Sequence, residues 1–145
     1  MVEERESGKE EVNLTKDAER KLIELSMLDE ENKKIEQQMQ LIEQQILNLQ
    51  RLAIDLDEIS QHEEAEFLAS LGSGVFVKSK LLENKKVLIN VGANCVLEKS
   101  CEEAKEIIAA QTEKLKKARE ELAELIAKNF ELMLQIETEL RKRRE

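Results

Sequence analysis

The sequence contains no proline, tryptophan or tyrosine, and it has only three phenylalanines and four glycines. Proline and glycine are the residues that most often end a helix, so long helices can run here with little interruption. Aromatic residues, which supply much of an ordinary globular core, make up 2% of the chain, whereas charged residues make up 38%. This balance is typical of long helices and coiled coils.

Other absences exclude classes of function. The formal net charge of -9 argues against nucleic acid, which requires a clustered cationic surface. No apolar run is long enough to span a bilayer, and the acidic, polar stretch from Met1 to Glu11 carries no secretory or transit signal. We therefore expect a cytoplasmic protein without a nucleic-acid or membrane partner.

The sequence also offers little to an enzyme. Cys95 and Cys101 are the only cysteines and lack a second ligand pair, so they predict no zinc site. Reduced thiols fit the cytosol, although a disulfide between them stays open. A nucleophilic pair of Cys95 with His62 would need an orienting third group and a pocket, and neither is indicated. We predict no enzymatic activity, no cofactor and no metal.

Strand-like patterning is confined to residues 67–98, which hold three of the four glycines. The predicted strands are Phe67 to Leu71, Val75 to Leu82, Val87 to Val91 and Cys95 to Glu98. Alternating residues bounded by Gly and Asn are the signature of hairpins. Parallel strands would need a crossover connection, which is not available in so short a stretch. The pattern predicts a small antiparallel meander.

Helical periodicity flanks this stretch on both sides. It predicts a flexible acidic segment over 1–13, a coiled-coil helix over 14–60 and a second over 101–145, the latter after a capping box at Ser100 and Glu103. The predicted seam positions are Ala18, Lys21, Leu25, Leu28, Asn32, Ile35, Met39, Ile42, Ile46, Leu49, Ala53 and Leu56 in the first helix, and Ala104, Ile108, Gln111, Leu115, Ala118, Leu122, Leu125, Asn129, Leu132 and Ile136 in the second. Matched lengths and a compact connector predict an α+β fold, a long antiparallel two-helix coiled coil joined by the β-hairpin meander.

Two seam positions are asparagines. Folding the helices back on each other places Asn32 and Asn129 at nearly the same height. They could form an Asn-Asn layer that fixes the register at some cost in stability. The alternative, two independent polar positions facing water, stays open.

The strands are too few to be stable alone. Each buried Val, Leu or Ile contributes about 1.5 to 3 kcal/mol, whereas ordering the backbone costs roughly 1 to 2 kcal/mol per residue. We therefore interpret them as an assembly surface that pairs with other subunits and joins an oligomeric β-barrel. Its predicted interface residues are Val75, Phe76, Val77, Val87, Ile89 and Val91.

The helix ends farthest from the strands carry more apolar residues than one seam can bury. They are Leu22, Ile23, Leu25, Leu28, Phe130, Leu132, Met133, Leu134, Ile136 and Leu140. Exposed apolar side chains there would suit weak contact with non-native polypeptide. The alternative is partial burial within the coiled coil or against a neighbouring subunit.

Three stretches of the chain resemble the alpha-type subunits of the prefoldin family, most nearly the archaeal form. They are L-G-S-G-V-F-V-K-S-K at Leu71 to Lys80, V-L-I-N-V-G at Val87 to Gly92, and V-L-E-K-S-C-E-E-A at Val96 to Ala104. Family members commonly carry a proline before the leucine-glycine turn, where this chain has Ala69-Ser70. Asn94-Cys95 also occupies positions that are usually glycine or small and aliphatic. These departures concern the turn geometry and the choice of partner.

The resemblance implies an ATP-independent holdase. Two alpha subunits, including a second copy of this chain, would join four beta-type subunits in a β-barrel platform that carries coiled-coil arms. The tips of the arms would hold unfolded proteins and deliver them to a group II chaperonin. A different class of function also fits the helices and strands, namely a coiled-coil spacer or scaffold subunit that binds no client.

Overall fold

The computed structural model describes the backbone of residues 2–144 and the side chains of residues 13 and 15–142. Its elements are α1 (Val2–Gln61), β1 (Glu66–Gly72), β2 (Val75–Lys80), β3 (Lys86–Asn90), β4 (Val96–Ser100) and α2 (Cys101–Arg144). This order of two long helices around four short strands confirms the predicted α+β class. Helix α1 begins at Val2, well before the predicted start at residue 14. The predicted flexibility of residues 1–13 stays a prediction.

The strands form two separate hairpins, so the predicted meander is divided in the middle. Strand β1 pairs antiparallel with β2, and β3 pairs antiparallel with β4, each in a two-stranded sheet. The segment between β2 and β3 bonds elsewhere, because the Leu81 amide donates to the Ala65 carbonyl and the Lys85 carbonyl accepts from the Cys101 amide. Those contacts take the chain away from β2 before β3 begins.

Both hairpin turns use backbone conformations with positive φ. Ser73 and Gly74 have φ of 53° and 80°, and Ala93 and Asn94 have φ of 51° and 59°. Two consecutive residues with positive φ match the right-handed twist of the flanking strands. Glycine adopts this region without strain, which accounts for glycine in the first turn.

A small core lies in the compact unit formed by residues 42–117. Leu56 from α1 and Ala104 and Ile108 from α2 are buried together. The partly buried apolar residues packed against them are Leu49, Ala53, Val87 and Ile89. Strand β3 is thereby seated on the two helices through one of its faces.

Helix α2 begins with the predicted cap. The Ser100 hydroxyl accepts a hydrogen bond from the Glu103 amide over 3.1 Å, which satisfies one of the unpaired amides of the first turn. Glu102 and Glu103 lie in that turn, where the helix dipole favours negative charge.

The seam of α1 follows the predicted heptad, since every predicted position is buried or half-buried. In α2 the row through Ile108, Asn129 and Ile136 is also as predicted. The other predicted row is wrong at Gln111, Leu125 and Leu132, which are exposed, whereas its Ala104 is buried and its Ala118 is half-buried. The inward positions lie one residue later and are Thr112, Arg119, Ile126, Met133 and Leu140.

The polar residues of that row explain the error. Thr112 is buried, and its hydroxyl donates to the Ile108 carbonyl one turn earlier over 2.8 Å. This local bond satisfies the hydroxyl, so burial costs little. Arg119 is half-buried, as a long side chain can be when its methylene groups cover apolar surface and its charge stays in water.

The Ser100 cap provides a direct test of how α2 begins. Ser100→Ala removes the acceptor for the Glu103 amide and is expected to lower the free energy of unfolding by about 1 kcal/mol. Ser26→Ala, an exposed change inside α1, is the matched control and should alter it by about 0.5 kcal/mol or less. Denaturant titration followed by circular dichroism measures both, and equal effects of the two changes would contradict the cap.

Candidate functional site

One compact unit is formed by Met1–Leu41 and Ala118–Glu145. Several of its large apolar side chains are exposed in the part of the chain that the structure describes. The exposed ones are Leu22, Ile23, Met27, Leu41, Leu125, Phe130, Leu132 and Leu134. We call the six that lie within 22–27 and 130–134 the helix-end surface. Phe130 and Leu134 are four residues apart, so they lie next to each other on one face of α2.

The structure removes part of the predicted client-binding set. Ile136 is only 8% exposed and lies in the seam, so its predicted role in client contact is wrong. Leu25, Leu28, Met133 and Leu140 are half-buried at seam positions as well. Met27 was missed because it lies outside both apolar rows, in the outward part of the heptad.

A buried polar layer crosses the seam of the same unit. Asn32 and Asn129 are 3% and 5% exposed, and the Asn129 Nδ2 donates to the Asn32 Oδ1 over 2.9 Å. The Asn32 Nδ2 in turn lies 3.6 Å from the Met133 Sδ, a weak acceptor. The two asparagines thus face each other and not water, whereas their role in fixing the register stays a prediction.

An ion pair accompanies this layer. Lys21 contacts both Asp17, one turn before it in α1, and Glu139 of α2. With Asn32 opposite Asn129, this contact shows that the two helices run in opposite directions within this unit. Asp17 and Glu139 are both partly exposed, so the pair contributes little to stability.

The first hairpin exposes apolar residues on both of its faces. In its register Ala69 is opposite Val77 and Phe67 is opposite Ser79, and opposite residues in antiparallel strands share a face. Val75 lies on the same face as Val77, two residues away. The exposed large apolar residues of this hairpin are Phe67, Leu68, Leu71, Val75, Phe76 and Val77.

The second hairpin has one covered side. Val87 and Ile89 pack against the buried cluster of their own chain. Contrary to the prediction, they are therefore not free to contact another subunit. Leu88 of β3 and Val96 of β4 are exposed, and both lie on the opposite face of this hairpin. Predicted interface residue Val91 is exposed just after β3. Alternation identified Val87 and Ile89 as one apolar face of β3 but could not indicate that helices of the same chain cover it.

The described residues offer little for metal or nucleophilic chemistry. Within that part of the chain no group of three or more His, Cys, Asp or Glu could hold a metal ion. Cys95 is exposed and Cys101 is buried, and both are free thiols, so the disulfide left open above is not formed. Over the same residues no helix has the length and apolar content that a bilayer crossing demands.

Comparison with known proteins agrees with this architecture. A family model described as Prefoldin subunit matches residues 28–144, most of the chain. The chain belongs to the prefoldin family. Prefoldin is a family of chaperone subunits and not of enzymes, and prefoldin subunits assemble with other prefoldin subunits.

Curated prefoldin relatives place the chain among the alpha-type subunits. Prefoldin subunit alpha of Archaeoglobus fulgidus is 28% identical over 133 residues, which cover 90% of this chain and 96% of that protein. The Thermofilum pendens subunit is 29% identical over 113 residues, 77% of this chain and 82% of that protein. The match to the Methanobrevibacter smithii subunit, 27% identical, spans 64% of that relative's length.

A solved prefoldin structure has the same fold. It is the cryo-EM structure of filamentous PFD from Methanocaldococcus jannaschii, which aligns with a TM-score of 0.72. The alignment covers 80% of this chain and 97% of that chain at 22% sequence identity. This likeness extends the match from the sequence to the arrangement of helices and hairpins.

The Asn32–Asn129 contact generates a prediction for prefoldin stability. Asn129→Leu leaves the buried Asn32 carboxamide without its donor and should cost about 1 to 3 kcal/mol in the free energy of unfolding. The double change to leucine at both positions should be more stable than either single change, with a coupling of about 1 kcal/mol or more. Additive effects in this cycle, measured by denaturant titration, would contradict the pairing.

The register role needs a separate measurement in the same variants. Spin labels on cysteines introduced at the exposed positions Ser26 and Gln135, in a background without Cys95 and Cys101, report the distance between α1 and α2. Wild-type asparagines should give one narrow distance distribution, whereas the double leucine variant should broaden it. A distribution that stays narrow would show that other seam residues set the register.

Proposed function

We propose that this chain is the alpha-type subunit of an ATP-independent holdase, which binds unfolded polypeptides through the helix-end surface and delivers them to a group II chaperonin. Its partners would be beta-type subunits, in a complex of two alpha and four beta chains that includes a second copy of this chain. The observation that supports client binding is the group of exposed apolar side chains on that surface.

Several properties of the helix-end surface suit a client that has no defined shape. It combines leucine, isoleucine, methionine and phenylalanine side chains, and Met27 is a flexible contact residue that adapts to irregular partners. Exposed apolar groups clustered on a surface mark sites of interaction. Each contact would be weak and reversible, and several copies in one complex would act together through effective concentration.

Assembly through the hairpins supports the oligomeric part of the proposal. A two-stranded hairpin is at best marginally stable in water without further strands or a covering layer. Both faces of the first hairpin, and one face of the second, carry exposed apolar residues such as Phe76, Val77 and Leu88. Strands from neighbouring subunits would cover these faces in a β-barrel and would also pair the free strand edges.

The stoichiometry, the beta-type partners and the chaperonin come from the family resemblance. The relatives that the chain matches are alpha subunits, which makes a complementary subunit type the expected partner. Delivery to a chaperonin would require release of the client. Weak apolar contacts, in a sequence without a nucleotide-binding motif, suit passive transfer.

A coiled-coil spacer without client binding is the alternative, and one observation favours it. Exposed apolar residues are not limited to the helix-end surface, since Leu41, Leu47 and Ile54 on α1 are exposed as well. Exposure alone therefore does not mark a client site. The same residues supply the control that separates the two functions.

Client binding predicts a position-dependent loss of activity. The triple variant Leu22→Gln, Phe130→Gln, Leu134→Gln should reduce suppression of aggregation of a chemically unfolded protein about ten-fold or more, because burial of each side chain contributes about 1.5 to 3 kcal/mol. Light scattering of the client, with the assembled complex at fixed concentration, measures the effect.

The matched control is Leu41→Gln, Leu47→Gln, Ile54→Gln, which removes as many exposed apolar residues from α1. It should leave suppression unchanged within about two-fold, since surface changes of this kind usually shift free energies by about 0.5 kcal/mol or less. A spacer would give two variants that behave alike, and that result would contradict the proposed site.

Hairpin assembly predicts a change in mass. Val77→Lys places a charge on the face of the first hairpin that carries Phe67 and Val75. It should convert the complex to smaller species in sedimentation velocity, because a lysine ammonium cannot be buried there unpaired. Lys78→Gln, on the opposite face of the same strand, is the control and should keep the full mass. An unchanged mass for Val77→Lys would contradict assembly through this face.

A further inference from the structure

The link between the two hairpins, residues 81–85, is held at both of its ends. The Leu81 amide donates to the Ala65 carbonyl over 2.8 Å, and the Cys101 amide donates to the Lys85 carbonyl over 3.1 Å. Ala65 lies just before β1, and Cys101 is the first residue of α2. The link is thus fastened where the chain enters the first hairpin and where the second helix starts.

Asn84 adds a third point of attachment, which reaches α1. Its side-chain Nδ2 donates to the carbonyl of Ser60, in the last turn of α1, over 3.4 Å. The backbone carbonyl of Asn84 accepts a hydrogen bond from the Cys101 Sγ over 3.4 Å, and Cys101 is buried. One asparagine therefore connects the end of α1, the link and the start of α2.

The neighbouring residue Glu83 bonds only within the link. Its carboxylate accepts from the Lys85 amide over 3.0 Å. Asn84 and Glu83 thus each take part in one side-chain hydrogen bond. Only the bond of Asn84 reaches a helix.

Leu82 lies inside this fastened link and is 96% exposed, more than any other exposed large apolar residue in the described part of the chain. A single exposed leucine on a protein surface is ordinary. This one differs because the backbone on either side of it is fixed by hydrogen bonds. A contact residue that is already held in place loses less entropy when a partner binds.

We propose that Leu82 is an anchor residue for assembly with another prefoldin subunit, and that Asn84 is the positioning residue that presents it. The inference rests on the proposed assembly through the hairpins. The occupant is a subunit and not a client, because the link runs directly from β2 into β3 and so continues the exposed hairpin faces that need cover from a neighbouring chain. An anchor of this kind fills an apolar pocket and accounts for much of an interface's affinity.

The anchor is tested by the strength of assembly. Leu82→Gln should weaken association of the full chain with itself and with a prefoldin beta-type subunit about ten-fold or more, as expected for loss of one buried leucine. Sedimentation velocity over a concentration series measures it. Leu82→Met keeps an apolar side chain and should restore association to within about three-fold. Glu83→Gln, the next residue, should have no effect.

Three results would overturn the anchor. One is association by Leu82→Gln that is as tight as that of the original chain. Another is equal weakening by Leu82→Met and Leu82→Gln, which would indicate a structural role for the exact side chain. The third is loss of aggregation suppression with association unchanged, which would make Leu82 a client contact.

The positioning role of Asn84 is tested by the reactivity of the Cys101 thiol. In a Cys95→Ser background Cys101 is the only thiol, and its buried position means that alkylation by iodoacetamide requires the link to open. Asn84→Ala should raise the alkylation rate of the isolated chain about two- to ten-fold, which corresponds to loss of one hydrogen bond. Glu83→Ala should not. Equal rates in the two variants would overturn the role of Asn84.

These measurements separate this inference from the proposed function. If Val77→Lys disrupts the complex and Leu82→Gln does not, assembly through the hairpins stands and only the anchor fails. If neither change affects the mass, the proposed assembly itself fails. The alkylation rate is measured on the isolated chain and is independent of both outcomes.

Discussion

Apolar side chains on a two-stranded hairpin can be shielded from water only by something outside the hairpin. The second hairpin meets this constraint on one side, where Val87 and Ile89 rest on the cluster of Leu56, Ala104 and Ile108. The first hairpin presents Phe67, Phe76 and Val77 without such a layer. The first hairpin therefore needs cover from another chain, as expected of a subunit of a larger complex.

The helices meet a different constraint, because the seam between them is narrow. Two long helices bury one stripe of each other, and here the stripe includes the polar pair Asn32 and Asn129. A buried asparagine pair costs stability relative to leucine and favours one alignment over its neighbours. Whatever apolar residues fall outside the stripe remain in water, as Phe130 and Leu134 do. The narrow seam of a two-helix coiled coil thus leaves these apolar side chains exposed, and they form part of the surface that we propose for client binding.

Sequence periodicity predicted the elements well, since the seam of α1 and the cap at Ser100 are where the pattern placed them. It failed where a polar residue replaced an apolar one inside the seam. Thr112 is buried because its hydroxyl bonds the Ile108 carbonyl, and no hydropathy pattern could indicate that. It also failed at β3, where alternation identified the apolar face of Val87 and Ile89 but could not indicate that helices of the same chain cover it. The separation of the two hairpins depends on contacts of Leu81 and Lys85 with residues distant in the sequence.

Two independent observations indicate a subunit of a larger assembly. Prefoldin membership comes from sequence and fold, whereas the need for partner subunits comes from exposed apolar area and unpaired strand edges. The exposed apolar residues lie in both hairpins and in the link between them. Assembly would therefore stabilise the whole middle of the chain at once.

Hydrogen exchange of the strand amides tests the central claim most directly. The account predicts that β1 and β2 exchange rapidly in the isolated chain at low concentration and become protected about 100-fold or more on assembly, as expected when a marginal hairpin gains covering strands. Strong protection of these amides in a dilute monomer, equal to that in the complex, would contradict it.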